Sequence, residues 1–120
     1  MRDIILLKDG WRFGITAAVE GESMPVLPET METVSIPHVW NKDDPAKTGY
    51  CVYQYSFRGE DISGEKVFVE FGAVGEICKV WLNGQYIGTH RGGYSCFRFE
   101  LTDALCKGEN ILTVFADNKK

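Results

Sequence analysis

The sequence predicts an all-β fold, an antiparallel β-sandwich or barrel, on three observations. Apolar and polar residues alternate with a period of two in several short segments. Turn-forming residues separate these segments, and no segment sustains the 3.6-residue period of a helix. The chain has 120 residues, which suits one domain and excludes a barrel enzyme of about 250 residues. We therefore expect residues 1–120 to form a single β-sandwich domain.

The expected strands follow one another along the chain. Residues 11–15 and 34–36 are the weaker candidates, and residues 20–32, with two prolines and four glutamates, predict a long loop between them. Residues 111–116 form a nearly continuous apolar run, which predicts a strand covered on both faces. The segments with clear alternation are residues 53–58, 67–71, 78–83 and 97–100.

Three local turns are specified more sharply. Asn83 and Gly84 stand between two apolar segments, and these residue types best tolerate the positive φ angles of a type I′ turn. Residues 102–106 predict one helical turn with Thr102 as its N-cap and Gly108 beyond its end. Residues 107–110 predict a turn before the last strand.

Composition and charge exclude several classes of protein. Thirteen basic and 17 acidic residues give a net charge of −4, which disfavours nucleic-acid binding. Near the start the longest apolar stretch, residues 4–7, is too short for a membrane span, and it lacks the features of a secretory signal. We therefore predict no membrane or nucleic-acid partner. The location is left open between the cytoplasm and an exported one, depending on the parent protein.

The four cysteines do not predict a metal site. Cys51, Cys78, Cys96 and Cys106 include no C-x-x-C spacing, so the sequence favours small buried hydrophobic residues over a disulfide or a zinc site. No metal ion and no cofactor are predicted.

Catalytic motifs are missing from the sequence. Neither His38 nor His90 accompanies a G-x-S-x-G elbow, and no glycine-rich loop ends in the lysine of a phosphate-binding motif. The pairs Asp43-Asp44 and Glu60-Asp61 consist of adjacent residues, which point in opposite directions on a strand and so seldom converge on one bond. We expect no catalytic residue in this chain.

Aromatic residues leave two interpretations open. Trp40, Trp81 and Tyr94 are of the type that stacks on a sugar ring, and they are equally of the type that anchors a core through a polar tip. For Trp81 the core interpretation is favoured because its strand is central.

One long segment resembles a known family. Residues 79–94, KVWLNGQYIGTHRGGY, are similar to the hairpin of the N-terminal domain of glycoside hydrolase family 2. That family contains β-galactosidases, β-glucuronidases and β-mannosidases. Further blocks in the family's order cover nearly the whole chain, at residues 11–13, 35–41, 53–57, 71–74, 97–112 and 114–118.

The resemblance implies a jelly-roll sandwich of the galactose-binding-domain-like type, the non-catalytic sugar-binding domain of a larger glycosidase that hydrolyses terminal β-glycosidic bonds. A β-galactosidase is the favoured parent. The partners of the domain would be the (β/α)8 barrel, which carries the catalytic glutamates, and the immunoglobulin-like domain of the same parent chain. Carbohydrate is the implied ligand. On this basis we expect that residues 1–120 are a C-terminally truncated form of the family domain, and that the isolated chain self-associates through uncovered strand edges. The alternative is a free-standing lectin-like carbohydrate-binding module.

The resemblance also implies roles for individual residues. A loop before Tyr50 would reach the rim of the parent's active site, although Ala46-Lys47 stand here where some members carry a substrate-contacting Asn. The substrate-proximal candidates are Asn41, Asp43, Asp44 and Lys47. The residues of the family motif with an implied structural role are Trp40, Trp81, Asn83, Gly84, His90, Gly92, Gly93, Tyr94 and Asn110.

Overall fold

The structure is a computed structural model that describes residues 7, 9–19, 21–35, 50–61, 66–71, 77–91 and 97–117. These residues form eight strands and two short 3₁₀ turns, Gly59–Asp61 and Thr102–Ala104. The strands are β1 Trp11–Thr16, β2 Glu32–Val34, β3 Tyr50–Arg58, β4 Phe68–Phe71, β5 Ile77–Leu82, β6 Gln85–Arg91, β7 Phe97–Glu100 and β8 Glu109–Asp117.

All strand pairs are antiparallel, and they form two sheets. The large sheet has the order β2-β1-β3-β8-β5-β6, and β4 pairs with β7 in a small second sheet. The buried apolar core, which includes Val80, Leu82 and Leu112, brings together side chains of the large sheet and Val69 of the small one. The predicted antiparallel β-sandwich is thereby confirmed.

The register gives the large sheet two ends. Tyr50 lies opposite Asp117, Asp117 lies opposite Ile77, and Ile77 lies opposite Arg91. This row of four residues is called the Tyr50 end. Since β8 has nine residues, its other terminus, called the Asn83 end after the adjacent turn, is roughly 27 Å away.

Strand β8 is buried on both faces, as its apolar run predicts. Leu112, Thr113, Val114, Phe115 and Ala116 are all at most 3% exposed. Leu112 and Val114 belong to the core between the sheets, whereas Thr113 and Phe115 point to the opposite, outer face.

The predicted long loop covers that outer face. Residues 21–31, called the strap, follow β1 and cross the large sheet. The Lys79 ammonium donates to Gly21 O at 2.8 Å, and the Thr16 hydroxyl donates to Val26 O at 2.5 Å. A side chain at Gly14 would overlap the ring of Pro28, so only glycine admits the strap this close to β1. The strap thus forms a third layer, which allows Phe115 beneath it to be apolar.

The β5–β6 turn is confirmed as type I′, with φ of +54° at Asn83 and +81° at Gly84. Two other local predictions are wrong in detail. Strand β2 begins at Glu32, two residues before the predicted start. The sequence pattern missed these first two residues because they are exposed and carry no apolar signal. The helical turn spans only Thr102–Ala104, and Thr102 is not its cap, because its hydroxyl instead accepts a hydrogen bond from Val67 N at 2.9 Å.

Candidate functional site

At the Asn83 end, the fully buried side chain of Asn110 organises the loop before β8. Its amide group donates to Cys106 O at 2.9 Å and to Gly108 O at 3.2 Å. Its carbonyl oxygen accepts from Cys106 N and from Asn83 Nδ2, both at 2.9 Å. Two donors and two acceptors are the full capacity of an amide side chain, so Asn110 is saturated by protein groups and has none left for a ligand.

Asn83 extends the β5–β8 pairing by one residue pair, through both its backbone and its side chain. Its backbone N–H donates to Ile111 O at 2.9 Å, and its side-chain oxygen accepts from Ile111 N at 2.9 Å. Its amide group also donates to Ala104 O at 3.2 Å. The Asn83 end is therefore a hydrogen-bonded clasp between a hairpin turn and a loop, and its chemistry is structural.

Glu60 belongs to the same clasp. Its carboxylate accepts from Gly108 N at 2.5 Å and forms an exposed ion pair with Arg58 at 2.8 Å. The pKa of Glu60 is lowered from its ordinary value of 4.5. The hydrogen bond from Gly108 N–H is the largest cause, and the hydrogen bond from the Arg58 side chain is the second. A glycosidase acid requires a raised pKa, so Glu60 does not have the properties of a general acid.

Trp81 is a core residue and not a sugar platform. It is fully buried, its indole N–H donates to Glu22 O of the strap at 2.9 Å, and its ring meets the ring of Tyr86 edge-on at 6.0 Å. The core interpretation favoured by the sequence is therefore confirmed.

The described residues offer no activated thiol at Cys51 or Cys78. Both side chains are fully buried, and burial raises the pKa of each thiol to about 12, with the nearby Asp117 charge adding to the effect at Cys51. His90 lies directly across from Cys78 in the β5–β6 ladder, but a thiol with so high a pKa is not a nucleophile at neutral pH. Both cysteines behave as the small buried hydrophobic residues that the sequence predicts, and Cys106 is exposed and unbridged.

The predicted substrate-proximal residues lie outside the described residues, but the points where their segments join the sheet are described. Residues 36–49 lead into Tyr50, and residues 92–96 follow Arg91. Both joints lie at the Tyr50 end, three strand spacings or about 14 Å apart. The predicted residues outside the described ranges are Trp40, Asn41, Asp43, Asp44, Lys47, Gly92, Gly93, Tyr94 and Cys96.

A polar groove on the outer face was not indicated by the sequence analysis. It is an open depression of about 510 Å³ where the strap passes β6. Its lining residues are Gly21, Glu22, Lys79, Tyr86, Thr89, His90 and Arg91. The signal that could have revealed it is Lys79, a lone charge within the apolar strand of residues 77–82.

Among the described residues, no group of three or more His, Cys, Asp or Glu side chains could hold a metal ion. No helix in the described part of the chain is long and apolar enough to cross a bilayer.

A family model described as "Glycosyl hydrolases family 2, sugar binding domain" matches residues 42–118. The chain belongs to this family. The resemblance seen in the hairpin of residues 79–94 is thereby confirmed, and the sandwich is the jelly-roll domain that the resemblance implies.

Relatives and solved structures of the family cover most of the chain. A β-glucuronidase of Bacteroides fragilis is 34% identical over 98% of this chain, and a β-galactosidase of Thermoanaerobacter pseudethanolicus is 34% identical over 74%. The structure of Bifidobacterium dentium β-glucuronidase complexed with coumarin-3-O-glucuronide is 36% identical over 92% of this chain, with a TM-score of 0.72.

The chain spans only a small part of these relatives. It covers 17% of the B. fragilis enzyme, 13% of the T. pseudethanolicus enzyme and 19% of the B. dentium structure. This small share is consistent with a domain of a larger multidomain polypeptide of family 2.

Proposed function

We propose that this chain is the non-catalytic N-terminal domain of a family 2 glycosidase that hydrolyses terminal β-glycosidic bonds. The observation that carries the proposal is its alignment with less than a fifth of relatives named β-glucuronidase and β-galactosidase. Hydrolysis requires two carboxyl groups placed across one bond, and the Glu60 carboxylate at the Asn83 end is engaged by Gly108 and Arg58. The catalytic glutamates then belong to a (β/α)8 barrel of the parent chain.

The Tyr50 end is the part of the domain that we assign to the parent's active-site rim. Both segments with candidate sugar-contacting residues join the sheet there, at Tyr50 and Arg91. At the Asn83 end, roughly 27 Å away, the Asn110 side chain is saturated by internal hydrogen bonds. In this arrangement Asn41, Asp43, Asp44 and Lys47 approach substrate, while the barrel and the immunoglobulin-like domain pack against the sandwich.

The substrate of the parent enzyme is either a β-galactoside or a β-glucuronide. The sequence resemblance favours a β-galactosidase. The name and coverage of the B. fragilis relative, 34% identical over 98% of this chain, support a β-glucuronide instead. We place the β-glucuronide first, because the β-galactosidase relative with the same identity covers 74% of the chain.

The test compares the parent polypeptide with the isolated chain. Both are assayed with the 4-nitrophenyl β-glucuronide, β-galactoside and β-mannoside. We expect the parent to hydrolyse the β-glucuronide with the highest kcat/KM and the chain alone to hydrolyse none of the three. Activity of the isolated chain that survives repurification and is lost on replacing one of its Asp or Glu residues would contradict a non-catalytic role.

The substrate-proximal assignment has its own variants in the parent. Lys47→Ala should lower kcat/KM by about tenfold, the equivalent of about 1.4 kcal/mol of transition-state binding. Lys66→Ala is the matched control, because Lys66 is exposed and lies outside both segments at the Tyr50 end. Equal effects of the two substitutions would refute the assignment. A parent gene that encodes no barrel, together with sugar affinity of the isolated chain, would instead favour the lectin-like module.

A further inference from the structure

We propose that the groove on the outer face, between the strap and β6, is a binding site for an acidic saccharide, that is, a sugar ring that carries a carboxylate. The choice of a sugar rests on the proposed function, whereas the preference for an acidic one rests on the groove's own charges. The groove residues that would contact the saccharide are Lys79, Tyr86, Thr89 and Arg91, together with Glu22 of the strap.

The groove is locally positive in an acidic domain. Its permanent charges are those of Lys79 and Arg91 against one carboxylate, that of Glu22, while the whole chain has a net charge of −4. Arg91 is exposed at the end of β6, and its planar guanidinium can donate two parallel hydrogen bonds to a carboxylate. An anion entering the groove is therefore attracted there although the domain as a whole repels it.

The other polar groups retain hydrogen-bonding capacity suited to sugar hydroxyls. The Lys79 ammonium has three N–H donors, of which two are directed at Gly21 O and Val19 O, so that one remains. The hydroxyls of Tyr86 and Thr89 are hydrogen-bonded to each other, and whichever of them is the donor, the other still has its own proton to give. Donors and acceptors thus stand side by side with the two cations.

The site is also held in shape before any ligand arrives. Tyr86 rests edge-on against Trp81, which is fully buried and is itself bonded to Glu22 O of the strap. Lys79, two residues before Trp81 on β5, also holds the strap by donating to Gly21 O. Because these positions are set by the fold, little conformational entropy is lost when a ligand binds. The volume of about 510 Å³ is sufficient for one or two sugar rings.

The test is a titration of the ¹⁵N-labelled chain with sodium glucuronate, followed by amide chemical shifts. We expect shifts at Glu22, Thr89 and Arg91 with a dissociation constant of about 1 mM, and weakening at high salt. Neutral glucose should bind at least about fivefold more weakly. Acetate supplies the carboxylate without the ring, and acetate shifts equal to those of glucuronate would show a simple anion site and overturn the saccharide proposal.

Two arginine variants separate the groove from general charge attraction. Arg91→Gln should weaken glucuronate binding by about five- to tenfold. Arg12→Gln is the matched control, because Arg12 is an exposed residue of the same large sheet, on β1, and the variant has the same net charge. Equal effects of the two variants, or no glucuronate shifts at these amides up to about 50 mM, would refute the site. This titration involves no hydrolysis, so its failure is distinguishable from a failure of the parent's activity.

Discussion

The Asn110 side chain should account for a large part of the stability of this domain. We consider Asn110→Ala, which removes the whole amide from a fully buried position. The substitution deletes four hydrogen bonds, to Cys106 O, Gly108 O, Cys106 N and Asn83 Nδ2, with lengths from 2.9 to 3.2 Å. The loop before β8 and the β5–β6 turn then lose the group that joins them.

The expected cost follows from these contacts. Each bond contributes about 1 kcal/mol net, which gives about 4 kcal/mol for the four. Water can reach part of the loop because Cys106 is exposed. Some of the backbone groups that lose the Asn110 amide can therefore hydrogen-bond to water instead. We therefore expect the free energy of unfolding to fall by about 2–4 kcal/mol, out of a total of about 6–18 kcal/mol for a domain of 120 residues.

Urea denaturation followed by tryptophan fluorescence measures this loss, because Trp11 and Trp81 are both buried in the folded state. The matched control is Gln54→Ala. Gln54 also carries an amide on a strand, but its described side-chain bond is a single one, to Thr113 Oγ1 at 3.1 Å. The control should lose about 1 kcal/mol with an unchanged dependence on urea.

Comparison of the two variants tests whether the Asn110 amide organises the Asn83 end. If Asn110→Ala unfolds within about 1 kcal/mol of Gln54→Ala, the buried amide is not the organising group of the Asn83 end, and the bond-by-bond reasoning fails.

Four further outcomes are expected. Gly84→Val should cost about 1–3 kcal/mol, because a β-branched residue resists the φ of +81°, and an unchanged melting temperature would contradict the turn. Gly14→Ala should cost about 1–3 kcal/mol by displacing the strap, and a fully stable variant would show that the strap yields freely. Since the folded-state pKa of Glu60 is lowered, the stability it contributes is present above its ordinary pKa of 4.5 and is lost as the pH falls through the folded value. The difference in stability between wild type and Glu60→Gln should therefore shrink on acidification, and a difference independent of pH would exclude this linkage. Light scattering after size-exclusion chromatography should reveal a dimer or larger species, whereas a single peak at 13.5 kDa over a wide concentration range would show that the strand edges are harmless.

Local interactions explain why much of the fold could be predicted from the sequence. The Asn83-Gly84 turn depends on the φ preferences of its own two residues, and the strand at 77–82 depends on a two-residue alternation. The apolar run at 111–116 implied cover on both faces without indicating what provides it. The family resemblance is likewise carried by the order of residues and needs no coordinates.

The tertiary structure decided what depends on residues distant in sequence. The sequence of the strap predicts only a polar loop. No residue within it indicates that Lys79 and Trp81, nearly 60 positions away, donate hydrogen bonds to its carbonyl groups. Thr102 looks like a helix cap, but its hydroxyl is used by Val67 N, 35 positions earlier. Asn110 looks like a turn residue, yet it is saturated by the loop and by the hairpin of β5 and β6. Hydrogen-bond partners far apart along the chain are selected by strand order and register. A pattern with a period of two sets the face on which each side chain lies, but a shift of two residues leaves that pattern unchanged, so it specifies neither the strand order nor the full register.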